Sequence, residues 1–239
     1  MKKFFITGTS SGIGKALAEA ALAAGYRVTG FARRNRIEHP NYRHLTVDLT
    51  DLDHYAGIGF EGISDKTEEV ILINNAGTIA PVKPVGSMDP MQVTRAYRLN
   101  LIAPSILCQL FIENTSEYHG KRTIINISSG AGAYPVKSWS VYCASKSALN
   151  MFSEVLQLDH PEIRCHAVSP GIVDTEMQGE IRATSQRDFP DLQRFMDYKE
   201  KGELASADEV AAKVLHLIDN PSDFNEVAVS LRKLDLPKS

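Results

Sequence analysis

Strand-length runs rich in apolar residues recur along the chain at 3–6, 26–31, 42–47, 70–73, 123–127 and 163–168. Between them the apolar residues return at every third or fourth place. Short runs bounded by turn formers predict buried strands, and the longer period predicts amphipathic helices. Leu17, Ala20, Ala21 and Ala24 mark a first helix, closed by Gly25. Residues 51–68 carry a weak helical pattern interrupted by Gly57, Gly59 and Gly62, which predicts something short and irregular. Prolines make 81–90 a loop, and a long helix is predicted over 91–118 with a tolerated kink at Pro104. Another helix is predicted over 139–158. Ser206 and Glu209 form a capping box ahead of Val210, Val214, Leu217 and Ile218, and 225–231 reads as a closing edge strand.

Strands alternating with helices imply an α/β fold. The expected architecture is one Rossmann-type domain over 1–239, a doubly wound parallel sheet of about seven strands with helices on both faces. Ligands of such sheets lie at the carboxyl ends of the strands. The polar stretch 176–202, with scattered Met177, Phe189, Phe195, Met196 and Tyr198, suits a cover over a substrate site or, equally, a peripheral helix pair.

The first strand runs into Thr7-Gly8-Thr9-Ser10-Ser11-Gly12-Ile13-Gly14 and then into a helix. Glycines there let backbone approach a phosphate, and the helix start offers free N–H groups. A dinucleotide fold that takes NAD places an acid on the ribose about 20 residues past the glycines. Here Ala32-Arg33-Arg34 stands at that place, with no acid between Tyr26 and Ile37. Arg33 suits a 2′-phosphate, so NADP(H) is the expected cofactor. The third strand ends at Asp48-Leu49, where the adenine is expected, and the fourth leads into Asn74-Asn75-Ala76-Gly77.

Tyr142 and Lys146 sit four apart, on one face of the helix predicted over 139–158. A free tyrosine has a pKa of about 10, and a nearby cation favours its phenolate. Taken alone the pair is an ordinary helix-surface contact. Ser129, delivered at the end of the fifth strand, adds a hydroxyl able to grip a carbonyl oxygen. Asn100 falls among Leu99, Leu101 and Ile102, where an amide needs partners, and is as compatible with a core role as with a catalytic one.

Composition narrows the field. The chain has 239 residues, 43% of them aliphatic, aromatic or cysteine, and a net charge of −3. That balance argues against nucleic acid or an anionic membrane as partner. Cys108, Cys143 and Cys165 show no CxxC spacing, and the seven histidines show no paired-ligand spacing, so no metal site is expected. The apolar run after Met1-Lys2-Lys3 ends too early for a signal peptide, and no membrane-spanning run occurs; a cytoplasmic protein is expected.

Six motifs in order, TGTSSGIG at 7–14, NNAG at 74–77, Asn100 in RLNL, Ser129, Tyr142-xxx-Lys146 and Pro170-Gly171-xxx-Thr175, resemble the short-chain dehydrogenase/reductases over essentially the whole chain. The resemblance implies a catalytic tetrad of Asn100, Ser129, Tyr142 and Lys146. Ser129 is preferred to Ser128 because the family's serine lies thirteen residues before its tyrosine. It implies cofactor contacts from Gly8, Ser10, Ser11, Gly12, Ile13, Gly14, Arg33, Asp48, Leu49, Asn75, Ala76, Gly77, Tyr142, Lys146, Pro170, Gly171, Ile172, Val173 and Thr175. Tyr142 would give a proton to a carbonyl oxygen held by Ser129, Lys146 would bond the nicotinamide ribose, and Asn100 would hold a water.

Within the family, YPVKSWSVYCASK and SPGIVDTEM resemble the sepiapterin reductase branch, and more closely its bacterial benzil reductases, which form (S)-benzoin from an aromatic diketone. Sepiapterin reductases grip the pterin with an aspartate near the C-terminus. This chain has Ala228-Val229-Ser230-Leu231 there, and Asp235 comes a few residues late, which counts against a pterin. Trp139, Tyr134, Pro135, Val136 and Met177 suit the lining for an aromatic carbonyl substrate, alongside Ser129. A pterin or broad ketone and aldehyde reductase is the nearby alternative. A non-catalytic NADP sensor is the distant one, and it would have no use for all four tetrad positions. The family resemblance also implies a homodimer or homotetramer joined through long helices.

Overall fold

Strands with apolar residues on both faces form a sheet that must be covered on both sides. The computed structural model describes residues 1–236, apart from the side chains of Leu52, Ala56 and Lys233. Seven parallel strands make one sheet: β1 Lys2–Thr7, β2 Arg27–Ala32, β3 Tyr42–Thr46, β4 Glu69–Asn74, β5 Lys121–Ile127, β6 Ile163–Ser169 and β7 Ala228–Ser230. Their order is β3-β2-β1-β4-β5-β6-β7. The chain therefore winds outward from β1 on one side and outward from β4 on the other. The reversal between β1 and β4 opens a crevice at their carboxyl ends.

Side-chain alternation along the strands builds two cores. Phe4, Ile6, Ile71, Ile73, Ile125 and Val168 face helices α1 (Gly12–Ala23) and α7 (Ala207–Asp219), which supply Leu17, Ala21, Val210, Val214 and Leu217. Phe5, Phe31, Val70, Leu72, Ile124 and Cys165 face the other way. There they meet Leu107 and Phe111 of α3 (Ala103–Asn114) and Leu156 of α4 (Ser140–Asp159). The Ser206–Glu209 capping box is formed at the start of α7, each side chain bonding the other's backbone N–H.

Three elements depart from the sequence pattern. The helix expected over 91–118 is α2 (Pro90–Tyr97), a π-helical turn (Arg98–Ile102) and α3, and it ends at Asn114. Pro104 has no N–H for the carbonyl of Asn100, four residues back, and its ring crowds that group, so the helix widens just before it. The weak pattern over 51–68 yields one 3₁₀ turn, Leu52–Gly57, capped by Asp51. The strand expected over 225–231 is only Ala228–Ser230, because the chain turns at once into a 3₁₀ turn that buries Leu231.

The stretch 176–202 forms two helices, α5 (Glu176–Arg182) and α6 (Leu192–Glu200), outside the sheet layers. Among the described residues no helix is long and apolar enough to cross a membrane.

Candidate active site

The crevice between β1 and β4 is walled by backbone. Gly8 and Gly12 hold φ of +75° and +54°, conformations that suit glycine. A Cβ on Gly8 would lie 2.9 Å from Asn75 Nδ2, and one on Gly14 would collide with Asn75 Nδ2 and the Gly8 carbonyl. A Cβ on Gly12 would press on Thr175 Cγ2 at 3.3 Å. The glycine turn, the Asn75-Ala76-Gly77 loop and the loop from Pro170 to Thr175 thus converge with little room for side chains. Ser11 caps α1 without a side-chain bond to the helix; its hydroxyl donates to Glu176 instead, and the first turn holds no acid. Open helix N–H groups beside a glycine turn fit a pyrophosphate.

The loops are held by Thr7, whose role motif spacing does not reveal. Thr7 Oγ1 accepts from the backbone N–H of both Asn75 and Ala76, each at 2.9 Å, while Asn75 Nδ2 donates to the Thr7 carbonyl at 3.0 Å. Farther along, Ile13 packs on the α1–α7 core, and the Ile172 carbonyl and Val173 pair with Ala205.

At the ends of β2 and β3, Arg33 is exposed and close enough to Asp48 to act on its charge. Burial pushes the Asp48 carboxyl up, but bonds from Thr50 and the charges of Arg33 and Arg95 outweigh it and hold it below the usual range. The Leu49 carbonyl accepts from the Tyr55 hydroxyl at 2.8 Å. Arg33 and Arg95 thus place positive charge around the Asp48 carboxylate at this end.

Asn100, Ser129, Tyr142 and Lys146 gather at the ends of β4 and β5. Asn100, in the π-turn, is 1% exposed. Its Oδ1 accepts from Thr78 N and its Nδ2 donates to Thr78 O, both at 2.8 Å, with Ser145 Oγ at 3.3 Å. Its amide is thus committed to fixing the loop after Gly77, and a Cβ on Gly77 would lie 3.2 Å from Asn100 Oδ1 and 3.8 Å from Lys146 Nζ. The two neighbouring serines separate clearly. Ser128 is buried and its hydroxyl donates to Asn150 at 2.5 Å, whereas Ser129 is half-buried and accepts from Ala131 N at 3.2 Å. Of the two, only Ser129 turns its hydroxyl toward the Tyr142 phenol.

Lys146, 4% exposed, donates to the Ile127 carbonyl at 2.7 Å, and its Nζ lies 5.8 Å from the centroid of the Tyr142 ring. Burial lowers its pKa to about 8. Burial pushes the Tyr142 phenol above its usual value, with a Ser129 hydrogen bond acting the other way. This differs from the expectation that the ammonium brings the phenol down. The lysine is committed to the end of β5, and apolar surroundings dominate the phenol.

Those surroundings are an aromatic cluster. The Trp139 ring stacks on Phe189 at 5.3 Å, meets Tyr142 edge-on at 5.8 Å and tilts against Phe195 at 5.2 Å. Ile79, Val82, Ala131 and Ile181 complete it, with Val136, Cys143 and Met177 packed on its flank. Phe189 precedes α6 and Phe195 lies in it, so the 176–202 stretch contributes part of the wall over the tyrosine. Tyr134 stands apart, 56% exposed, its hydroxyl over Gly130, and Pro135 is exposed too. Asp235 is likewise exposed, beyond the turn that follows β7. Trp139 Nε1, both ends of the Gln178 amide and Arg182 Nη1 are buried without a partner among the described residues.

A phenol between a hydroxyl and a buried ammonium, beside a backbone-lined crevice, is equipped to pass a proton to an oxygen next to a bound dinucleotide. Comparison with known proteins places the chain in a family. Residues 2–186 match the family model described as short chain dehydrogenase. Benzil reductase ((S)-benzoin forming) of Bacillus subtilis (strain 168) is 37% identical over 237 residues, covering 95% of this chain and 97% of that protein. Sepiapterin reductase of Bos taurus is 38% identical over 157 residues, 64% of this chain and 58% of that one. Among solved structures, the KRED1-Pglu enzyme superposes with a TM-score of 0.82 at 28% identity, covering 96% of this chain and 100% of its own. With its nucleotide crevice, its sheet order and most of its length matched, this chain belongs to the short-chain dehydrogenase family and is an oxidoreductase served by a nicotinamide cofactor.

Proposed function

We propose that the protein is an NADPH-dependent carbonyl reductase acting on an aromatic or vicinal diketone. The observation that carries this reading is the Tyr142 phenol, flanked by Ser129 and Lys146 and opening onto the Trp139–Phe189–Phe195 cluster. The likeness to a benzil reductase over nearly the full chain supports an aromatic diketone. Arg33 beside Asp48, with no acid in the 2′-hydroxyl position, supports the phosphorylated cofactor.

Gly8, Ser10, Ser11, Gly12, Ile13 and Gly14 would hold the pyrophosphate, and Arg33 the 2′-phosphate. Asp48 and Leu49 would meet the adenine, and Asn75 to Gly77, Lys146 and Pro170 to Thr175 the nicotinamide half. When bound, the cofactor supplies a hydride equivalent to the carbonyl carbon. Ser129 donates a hydrogen bond to the carbonyl oxygen, and Tyr142 transfers its phenolic proton there as negative charge develops. Carbonyl, hydride and proton together give the alcohol. Tyr142, its pKa raised further by burial, enters this step as the protonated phenol. The Lys146 ammonium then steadies the phenolate left behind, and the carbonyl of Asn100, for which Pro104 has no N–H to offer, would hold the water through which the proton is replaced.

Helices α5 and α6 cover the substrate, and the unmatched donors on Trp139, Gln178 and Arg182 favour their rearrangement when a ligand enters. The enzyme works as a homodimer or homotetramer joined through α4, whose Met151, Val155 and Leu158 form an exposed apolar row.

A panel of benzil, sepiapterin, a 3-oxoacyl thioester and a simple aliphatic diketone, each with NADPH and NADH, tests the reading. The highest kcat/KM is expected for benzil with NADPH. Tight NADPH binding with no oxidation across the panel would point to a sensor instead.

A further inference from the structure

The amino ends of β1, β2 and β3 lie opposite the active site, and charge collects there in a way that catalysis does not explain. Lys3 is 5% exposed, yet among the described residues no carboxylate is paired with it. Its Nζ donates to Thr29 Oγ1 at 2.7 Å and lies 5.0 Å from the Phe5 ring, and those are its partners among the described residues. A buried ammonium is ordinarily matched by an anion. Lys2, its neighbour, is matched by Glu69 and Asp219 on the other face.

Lys3 opens into a cavity of about 250 Å³, lined also by Arg27, Arg43, Asn41, Tyr42 and Gly62. The strand register sets Lys3 beside Arg27, and Arg43 stands two positions on, opposite Thr29, in β3. Burial first, and then the charges of Arg27 and Arg43, lower the Lys3 pKa to about 8. Arg43 is paired with Glu61, while Arg27 makes no hydrogen bond or ion pair among the described residues. One carboxylate thus answers three cations. Gly62 holds φ +81° with its Cα toward the lysine: a Cβ there would lie 3.6 Å from Lys3 Nζ. Backbone rather than side chain lines that side of the ammonium, which leaves it reachable.

We infer that this cavity is an anion site for a small phosphate, with Lys3 as its floor and the Arg27 guanidinium as its clamp. The two cations left unanswered match a phosphate dianion, and guanidinium binds such a group by two parallel hydrogen bonds. The site is separate from the cofactor crevice: Lys3 and Thr7 stand four residues apart on β1, roughly 13 Å along the strand.

Thermal unfolding with NADPH at saturation, so that the glycine turn is filled, tests this with inorganic phosphate as the probe. Phosphate is compared with chloride at equal ionic strength in the native protein, Lys3→Met and Arg27→Ser. Phosphate is expected to raise the Tm of the native protein above chloride, by an amount that grows with its concentration. That increment should vanish in Lys3→Met and fall by more than half in Arg27→Ser. The Arg27 side chain is exposed and makes no hydrogen bond or ion pair among the described residues, so its variant decides the matter even if Lys3→Met folds poorly. An equal increment in all three proteins, or none above chloride in the native one, overturns the site.

Discussion

At the scale of single residues, burial and charge work against each other in the same few cubic ångströms. Lys146 holds a cation among apolar groups, and its pKa of about 8 measures the cost. Because the folded value lies below the unfolded one, the cost is complete below pH 8 and fades as pH rises toward about 10.5. Lys146→Met should therefore be more stable than the native protein at pH 7, by on the order of 2 kcal/mol, with the gain shrinking at high pH. Denaturant melts at pH 7 and pH 10 check this, and the same variant should have lost turnover. Tyr142→Phe should keep NADPH affinity, read by fluorescence titration, while kcat falls by roughly 100- to 10,000-fold; a near-normal rate would remove the phenol from the chemistry. Arg33→Asp should move the ratio of NADPH to NADH affinity toward NADH, and an unchanged ratio would take Arg33 away from the 2′-phosphate. Such positions are legible in the sequence when their meaning is local. Glycines before a helix and a tyrosine four places from a lysine declare themselves by spacing. Thr7 does not, because its partners stand 68 and 69 residues downstream and only the β1–β4 pairing brings them together. The choice between Ser128 and Ser129 likewise acquires its physical reason only once Asn150 is seen to occupy the first.

Among the elements, the strands and the capped helices follow their patterns, and the departures have local causes. The capping box before α7 is readable from four residues and is present as read. Ser206→Ala should cost about 1 kcal/mol, a fall of roughly 2–4 °C in Tm, with kcat unchanged, since α7 supports the core under the glycine turn without touching the crevice. A scanning melt and a rate assay on the same preparation decide it. The π-turn Arg98–Ile102 is different. The apolar period runs through it without a break, so a uniform helix with a bend at Pro104 is what periodicity predicts. The extra residue in that turn appears only in the hydrogen-bond ladder, where Ala103 N bonds back to Arg98 O. It places Asn100 inward against Thr78, and so the irregular turn is what locks the amide to the loop beside Lys146.

Over the whole molecule, the sheet order puts both halves of the crevice at one point of reversal, which alternation of strands and helices already implied. What the pattern left open was the stretch 176–202, since scattered aromatic residues in a polar context serve a cover and a peripheral helix pair alike. Phe189 and Phe195 stack on and tilt against Trp139, which places the stretch beside Tyr142. The outward face of α4 remains uncovered, with Leu158 80% exposed. If α4 joins the subunits, Leu158→Glu should shift the sedimentation coefficient toward that of a smaller species at micromolar protein; an unchanged value would exclude this face as the seam.

The double bond from the Thr7 hydroxyl to consecutive backbone amides has a kinetic consequence. The two loops proposed to meet the nucleotide are fastened to each other by the chain itself, so little ordering would remain to be done on its arrival. Association should then run at a rate set by encounter and charge steering, and loosening that fastening with Thr7→Val should slow capture before it weakens retention.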